Sequence, residues 1–98
     1  MAKYRISQAA LEDLESIWVY TLKTWSVEQA ERYHNDIAAE IMAIAQSDKD
    51  YGIKYFDVME GLYCSRCRKH LIFYRFDGED TVEIVRILHG MMDIKSKF

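Results

Sequence analysis

Proline is absent from these 98 residues, glycine appears four times and cysteine only twice. No apolar run approaches the roughly 20 residues that a membrane helix needs, and Met1-Ala2-Lys3-Tyr4-Arg5 leads into polar sequence rather than the apolar core of a secretion signal. Repeats, low-complexity tracts and linkers are missing too. With two cysteines and no export signal, a reducing cytoplasm is the expected compartment. The length suits one hydrophobic core and is too short for two, so residues 1–98 are expected to form a single domain. Half of the residues are hydrophobic, which favours folding over disorder.

Metal ligands are also scarce. Cys64-Ser65-Arg66-Cys67 has the spacing of a zinc knuckle and His70 follows, but a structural zinc site needs four ligands and no second pair stands at suitable spacing. In a regular strand, moreover, Cys64 and Cys67 point to opposite faces. Packing is the expected role of both, and neither metal nor cofactor is expected.

Excess positive charge is lacking as well: the net charge is −3, which argues against a general nucleic-acid binder. The imbalance is uneven. Residues 1–50 hold five Lys/Arg against nine Asp/Glu, residues 51–98 eight against seven, and Gly61–Phe76 carries Arg66, Arg68, Lys69 and Arg75 with no acid at all. That stretch suits solvated strand ends, or a contact with an acidic peptide or a few phosphates.

What is present is strong periodicity. Lys3–Ile6 reads as a short strand. Ser7 can cap a helix running to about Thr24, with Leu11, Leu14, Trp18, Thr21, Leu22 and Trp25 at helical spacing as its expected core stripe. The same tryptophans, with Tyr4, Tyr20, Tyr63 and Tyr74, would also suit an open groove. Ser26 and Gln29 have capping-box spacing. They open a second helix to about Gln46, whose face runs through Val27, Ala30, Tyr33 or His34, Ile37, Ile41, Ile44 and Ala45. So short a connection predicts an antiparallel helical hairpin. Ser47–Glu60 is irregular but rich in Tyr51, Tyr55, Phe56 and Val58, so it should pack down. Strands follow at about Leu62–Arg68, His70–Phe76 and Thr81–Leu88, the last two joined at Asp77-Gly78, a hairpin signal.

These last strands are apolar on both faces, so each face must be covered, by the protein or by a partner. Among their apolar residues stand His70, Arg75, Arg86 and His89. His70 starts a buried-looking strand and reads as structural, and His34 as a residue at the helix boundary. Alternation places Arg86 with Val82, Ile84 and Leu88, and His89 with Val85 and Ile87. A guanidinium on an apolar face requires a compensating acid, either Asp93 or one supplied by a partner.

His70-Leu71-Ile72-Phe73-Tyr74-Arg75, Val85-Arg86-Ile87-Leu88-His89-Gly90 and Met92-Asp93, with Leu11-Glu12-Asp13-Leu14-Glu15-Ser16-Ile17-Trp18, Trp25, Gln29-Ala30 and Arg32-Tyr33 upstream, span nearly the whole chain in family order. In these segments the sequence resembles the ParE branch of the RelE/ParE toxin superfamily. The resemblance implies an α+β fold, with a short N-terminal strand, an antiparallel two-helix hairpin packed on an antiparallel sheet (β-α-α-β-β-β) and a short C-terminal tail. The family commonly places a proline in the connection after the helices, where this chain has none.

Two functions follow from that resemblance. In the first, a type II toxin without chemistry of its own inhibits DNA gyrase and blocks replication. A ParD-like antitoxin neutralises it in a hetero-oligomer, with no membrane and no sequence-specific nucleic acid involved. In the second, a ribosome-dependent messenger-RNA endonuclease of the RelE type would need an acid, a base and cations at the phosphate. Its only cast would be Arg66, Arg68, Lys69, Arg86 and His89, with Tyr74 in reserve, and no convincing acid–base pair emerges. The first is preferred, with Arg66, Arg68, Tyr74, Arg86, His89 and Asp93 as residues expected to meet antitoxin or gyrase.

Overall fold

Two serines set the helix starts. Ser7 Oγ accepts the Ala10 N–H at 3.0 Å and Ser26 Oγ accepts the Gln29 N–H at 3.1 Å, satisfying amides that the first helical turn leaves free. In this computed structural model, which describes residues 3–48, 50–78 and 80–98, the order is β1 (Lys3–Ile6), α1 (Gln8–Thr24), α2 (Val27–Ala45), β2 (Ile53–Lys54), β3 (Tyr63–Cys67), β4 (His70–Asp77) and β5 (Thr81–His89). A short 3-10 turn at Lys95–Lys97 ends the chain. Met1 and Ala2 of the leader reading, Lys49 of the connection and Glu79 of the hairpin lie outside the described residues.

The expected elements are present, with two refinements. The sheet runs β1-β5-β4-β3-β2 and is mixed: β1 pairs with β5 in parallel, from Lys3 opposite Thr81 to Ile6 opposite Ile84. A parallel neighbour needs a crossover, and the helical hairpin forms part of the long connection between them. Within the connection expected to be irregular, Ile53 and Lys54 also pair with Cys64 and Tyr63 as β2. This pairing works only because residue 52 is glycine, since a Cβ there would stand 2.1 Å from Tyr74 Oη and 2.9 Å from the Cys64 carbonyl. Gly78, at φ +85°, makes the expected turn between β4 and β5.

The chain itself covers both sheet faces. Ile17, Tyr33, Ile37, Ile41 and Ile44 of the helices pack on Ile72, Tyr74, Val82, Ile84 and Ile87. On the second face Leu62, Cys64, Leu71, Phe73 and Leu88 lie beneath Tyr55, Val58 and Met59 of the connection and Ile94 of the tail. The Phe73 ring sits edge-to-face with both Tyr55 and Phe98. Cys64 and Cys67 fall in different layers, as strand alternation requires.

Alternation fails at one place. Phe73 faces Arg86 and Tyr74 faces Ile84, so Val85 is an extra residue in the ladder, a β-bulge. Val82, Ile84 and Ile87 therefore all face the helices, while Val85 and Leu88 share the second face. The expected grouping is thereby corrected in part: Arg86, opposite Phe73, keeps Leu88 on its face but is separated from Val82 and Ile84. Arg86 meets Asp13 of α1 rather than Asp93. Nε and Nη2 donate to the two carboxylate oxygens at 2.8 and 2.9 Å, Nη1 donates to the Lys97 carbonyl at 3.0 Å, and the Ile87 N–H donates to the same carboxylate at 3.0 Å.

The stripe expected on α1 also needs rotating. Its buried residues are Ala10, Ile17 and Thr21, whereas Leu14, Trp18 and Leu22 are half-buried and Leu11 and Trp25 stay 47% and 37% exposed. Of the expected stripe only Thr21 is buried, and Ala10 and Ile17, which lay outside it, are the other inward residues. On α2 the expected face holds, with Tyr33 rather than His34 inside and Val27 left exposed. Tyr33 Oη meets His70 Nδ1 at 2.5 Å and accepts the Lys69 N–H at 3.4 Å, tying α2 to the β3–β4 hairpin. Burial first, and the neighbouring His89 second, lower the His70 pKa from 6.5 to about 4.

Three expectations follow. Ile17→Ala should cost about 2–5 kcal/mol in denaturant unfolding, and Trp18→Ala less than half as much because Trp18 is only partly covered; the reverse order would restore the original stripe. Asp13→Ala should cost about 1.5–3 kcal/mol, the range for hydrogen bonds to charged groups, and an unchanged midpoint would contradict the bridge. His70 is held neutral in the folded state, so its contribution is complete above its unfolded pKa and is lost as pH falls from about 6.5 towards 4. A His70→Gln variant should therefore show a shallower loss of stability over that window than the parent, and parallel curves would refute the assignment.

Candidate functional site

Three openings lie along the helical layer. Two adjoining hollows of about 180 and 300 Å³ run between α1 and α2 and share Leu14 and His34. Tyr4, Ile6, Ile37, Ala38, Ile41 and Met42 extend the first, and Glu15 and Trp18 the second. The Trp18 ring stands edge-on to His34, with centroids 5.6 Å apart. The third opening, about 340 Å³, lies between α1 and the end of the sheet, where Ile17, Tyr20, Trp25 and Met92 surround His70 and His89. Together they leave Tyr4, Leu11, Tyr20, Trp25 and Met42 exposed beside largely apolar hollows.

Of the six residues expected from sequence, Arg68 has the most unusual setting. It is the first residue of the two-residue turn joining β3 to β4 and sits at φ +55°, a conformation that favours glycine. Its Nη2 and Nε reach Asp36 at 2.5 and 2.6 Å, and the guanidinium lies 5.3 Å from the Tyr33 ring centroid. Arg66 is exposed, donates to the Arg68 carbonyl at 3.4 Å and stands beside Gly90. His89 pairs with His70 across β4 and β5, ring centroids 5.4 Å apart, and its Nδ1 accepts the Met91 N–H at 3.1 Å. These three, with Lys69, gather at one end of the molecule.

The other three lie elsewhere. Arg86 is held by Asp13 and Lys97 at the edge of β5. Asp93 is exposed in the tail, where its carbonyl accepts the Ser96 hydroxyl. Tyr74 is 0% exposed, a correction to its expected surface role. The alternation of β4 puts it on the helix-covered face with Ile72, and burial in the first place, with Cys64 and other acidic neighbours, pushes its pKa up to about 12. Its Oη has no hydrogen-bond partner among the described residues. The cast proposed for phosphate chemistry thus does not converge: Arg68 and Arg86 are committed to carboxylates, Tyr74 is sealed, and Arg86 and His89 face different neighbours.

Several surface residues were not singled out from sequence. Arg32 and Gln29 line a hollow with Trp25 and Arg68, and His34 and Met42 line the inter-helix groove. The usable signal was the width of the apolar band on α1, broader than one buried face needs.

Comparison with known proteins places the whole assembly. Residues 4–94 match the family described as ParE toxin of type II toxin-antitoxin system, parDE. The chain is 34% identical over 93 residues to Toxin ParE1 of Mycobacterium tuberculosis, covering 95% of this chain and 94% of that one. It is 34% identical over 102 residues to Toxin ParE1 of Caulobacter vibrioides, with 98% and 97% covered. Toxin ParE of Escherichia coli is 26% identical over 97 residues, with 99% and 93% covered. Among solved structures, a chain of the chromosomal ParDE TA system from P. aeruginosa shares the fold, with a TM-score of 0.78 at 19% identity over 91% of this chain and 96% of that one. With the sequence match running from β1 into the tail and the fold shared throughout, the chain belongs to the ParE toxins of type II toxin–antitoxin systems.

Proposed function

We propose that this toxin inhibits DNA gyrase and blocks replication, and that a ParD-like antitoxin neutralises it by forming a cytoplasmic hetero-oligomer. The observation that carries the reading is the family match over residues 4–94 combined with open apolar hollows flanking α1. A toxin that acts by binding needs apolar area and anchoring side chains, and a segment that folds on contact gains from covering such hollows. The pairing of Arg68 and Arg86 with carboxylates, the burial of Tyr74 and the distance of both Arg86 and Tyr74 from the end where Arg66, Arg68 and His89 gather support binding over phosphate chemistry, which requires its groups within bonding reach of one reacting centre. Among the described residues, no helix is long and apolar enough to cross a membrane.

Induction of the chain in a bacterium lacking the antitoxin should produce filamentous cells with an SOS response, and purified toxin should trap gyrase on cleaved DNA. Co-expression of the antitoxin should restore division. Arrested translation with cleaved messages, and no effect on gyrase, would replace this reading with the endonuclease.

A further inference from the structure

The end of the molecule formed by the α1–α2 turn and the β3–β4 hairpin carries an arrangement that gyrase inhibition does not explain. Trp25 stands between two openings and lines both. On one side is the 340 Å³ pocket walled by Ile17, Tyr20 and Met92. On the other, Arg32 and Arg68 line a smaller hollow with Gln29. Tyr20 is 62% exposed although it borders the pocket, so this apolar surface is open.

The cationic side chains and the two imidazoles at this end offer donors. Tyr33 Oη accepts the Lys69 N–H and so donates its own proton to His70 Nδ1, which leaves neutral His70 with its proton on Nε2. His89 Nδ1 accepts the Met91 N–H, so the N–H that this ring can offer is at Nε2 likewise. Neither Nε2 has a hydrogen-bond partner among the described residues. Both imidazoles line the pocket, and Lys69 joins them there. Arg32 and Lys69 make no ion pair among the described residues, and Asp36, one helical turn beyond Arg32, is taken by Arg68. In a chain of net charge −3, this end presents unpaired cations and free N–H donors around an apolar hollow.

We propose that this end is a docking site for an acidic segment of the antitoxin: an apolar side chain enters the pocket beside Trp25, and flanking carboxylates meet His70, His89 and Lys69 inside and Arg32 at the rim. The inference rests on the toxin–antitoxin reading for the source of the segment, and on charge complementarity for its chemistry. Carboxylates use these donors in a way that amides and cationic residues cannot. A polynucleotide would find phosphate partners at the rim and a base could stack on Trp25 or Tyr20, so an oligonucleotide is the competing occupant in the test.

The test uses the purified toxin and a short synthetic peptide, acetyl-Glu-Asp-Leu-Trp-Glu-Asp-amide, with a Gln/Asn counterpart, a counterpart carrying Gly for Leu and Trp, and a thymidine oligonucleotide. The acidic, apolar peptide should bind about tenfold more tightly than either counterpart, a difference of about 1.4 kcal/mol, and should lose that margin in high salt. Arg32→Glu with Lys69→Glu should remove the preference for acid, and Tyr20→Ala should weaken the acidic and Gln/Asn peptides alike. All three positions are at the surface, so the variants should fold, as circular dichroism would verify. The cognate antitoxin should likewise bind the doubly reversed toxin about tenfold more weakly. Equal binding of the acidic and Gln/Asn peptides, or tighter binding of the oligonucleotide, overturns the proposal. So does antitoxin affinity unmoved by the double reversal, which leaves the toxin–antitoxin reading standing. Absence of any antitoxin complex with the unmodified toxin overturns that reading itself.

Discussion

The carboxylate of Asp13 joins parts of the chain that no sheet ladder connects. β1 ends opposite Ile84, but β5 continues to His89, so its outer edge beyond that point has no strand beside it. The Val85 bulge turns this edge and frees the Ile87 N–H. Asp13, one turn into α1, accepts that N–H and two more from Arg86. Arg86 Nη1 also donates to the Lys97 carbonyl, so helix, sheet edge and tail meet at one ion pair. Both partners are largely covered, and removing either would strand the other's charge away from water.

Once α1 is held at that edge, its outward surfaces follow. Ser7 is bonded to β5 at both Ile84 and Val85, so the helix start cannot slide along the strand. With Ala10, Ile17 and Thr21 turned to the sheet, Leu14 and Trp18 fall on the flank towards α2, and Tyr20 on the flank towards the end of β5. The apolar band is wider than the contact it can make, and the excess borders two separate openings. A toxin that must be recognised by other proteins has use for such excess, since exposed apolar area rimmed by polar groups is what interfaces are built from.

Charge is arranged on the same plan. The acids of the first half face cations of the second: Asp13 meets Arg86, Asp36 meets Arg68, and Arg5 bonds to Asp77 and Glu83 near the opposite end of the sheet. The acid-free stretch Gly61–Phe76 is therefore only partly neutralised, through Arg68 and through Arg75 with Glu83. What is left over at the hairpin is Arg66 and Lys69, with Arg32 nearby, beside two imidazoles whose inner nitrogens are already engaged.

Local signals in the sequence determined the elements and nearly all their limits. Serine caps, helical spacing and the Asp77-Gly78 turn act over a few residues, and no distant contact overrides them here. The opposite orientation of Cys64 and Cys67 followed equally from strand period. The RelE/ParE resemblance, carried by short segments in a fixed order, was legible for the same reason. Tertiary structure decided what depends on partners far apart in sequence. The bulge at Val85 inverted the parity that had grouped Arg86 with Val82 and Ile84, and a single inserted residue leaves no local mark. The choice of Asp13 over Asp93 for Arg86 required α1 to be laid along β5. Which of two adjacent apolar stripes on α1 faced inward turned on small residues, Ala10 and Thr21, that let the helix approach the sheet, while the tryptophans that dominated the pattern were left at its rim. Periodicity gives a helix a greasy side, but only close packing chooses the angle at which that side is pressed against the sheet.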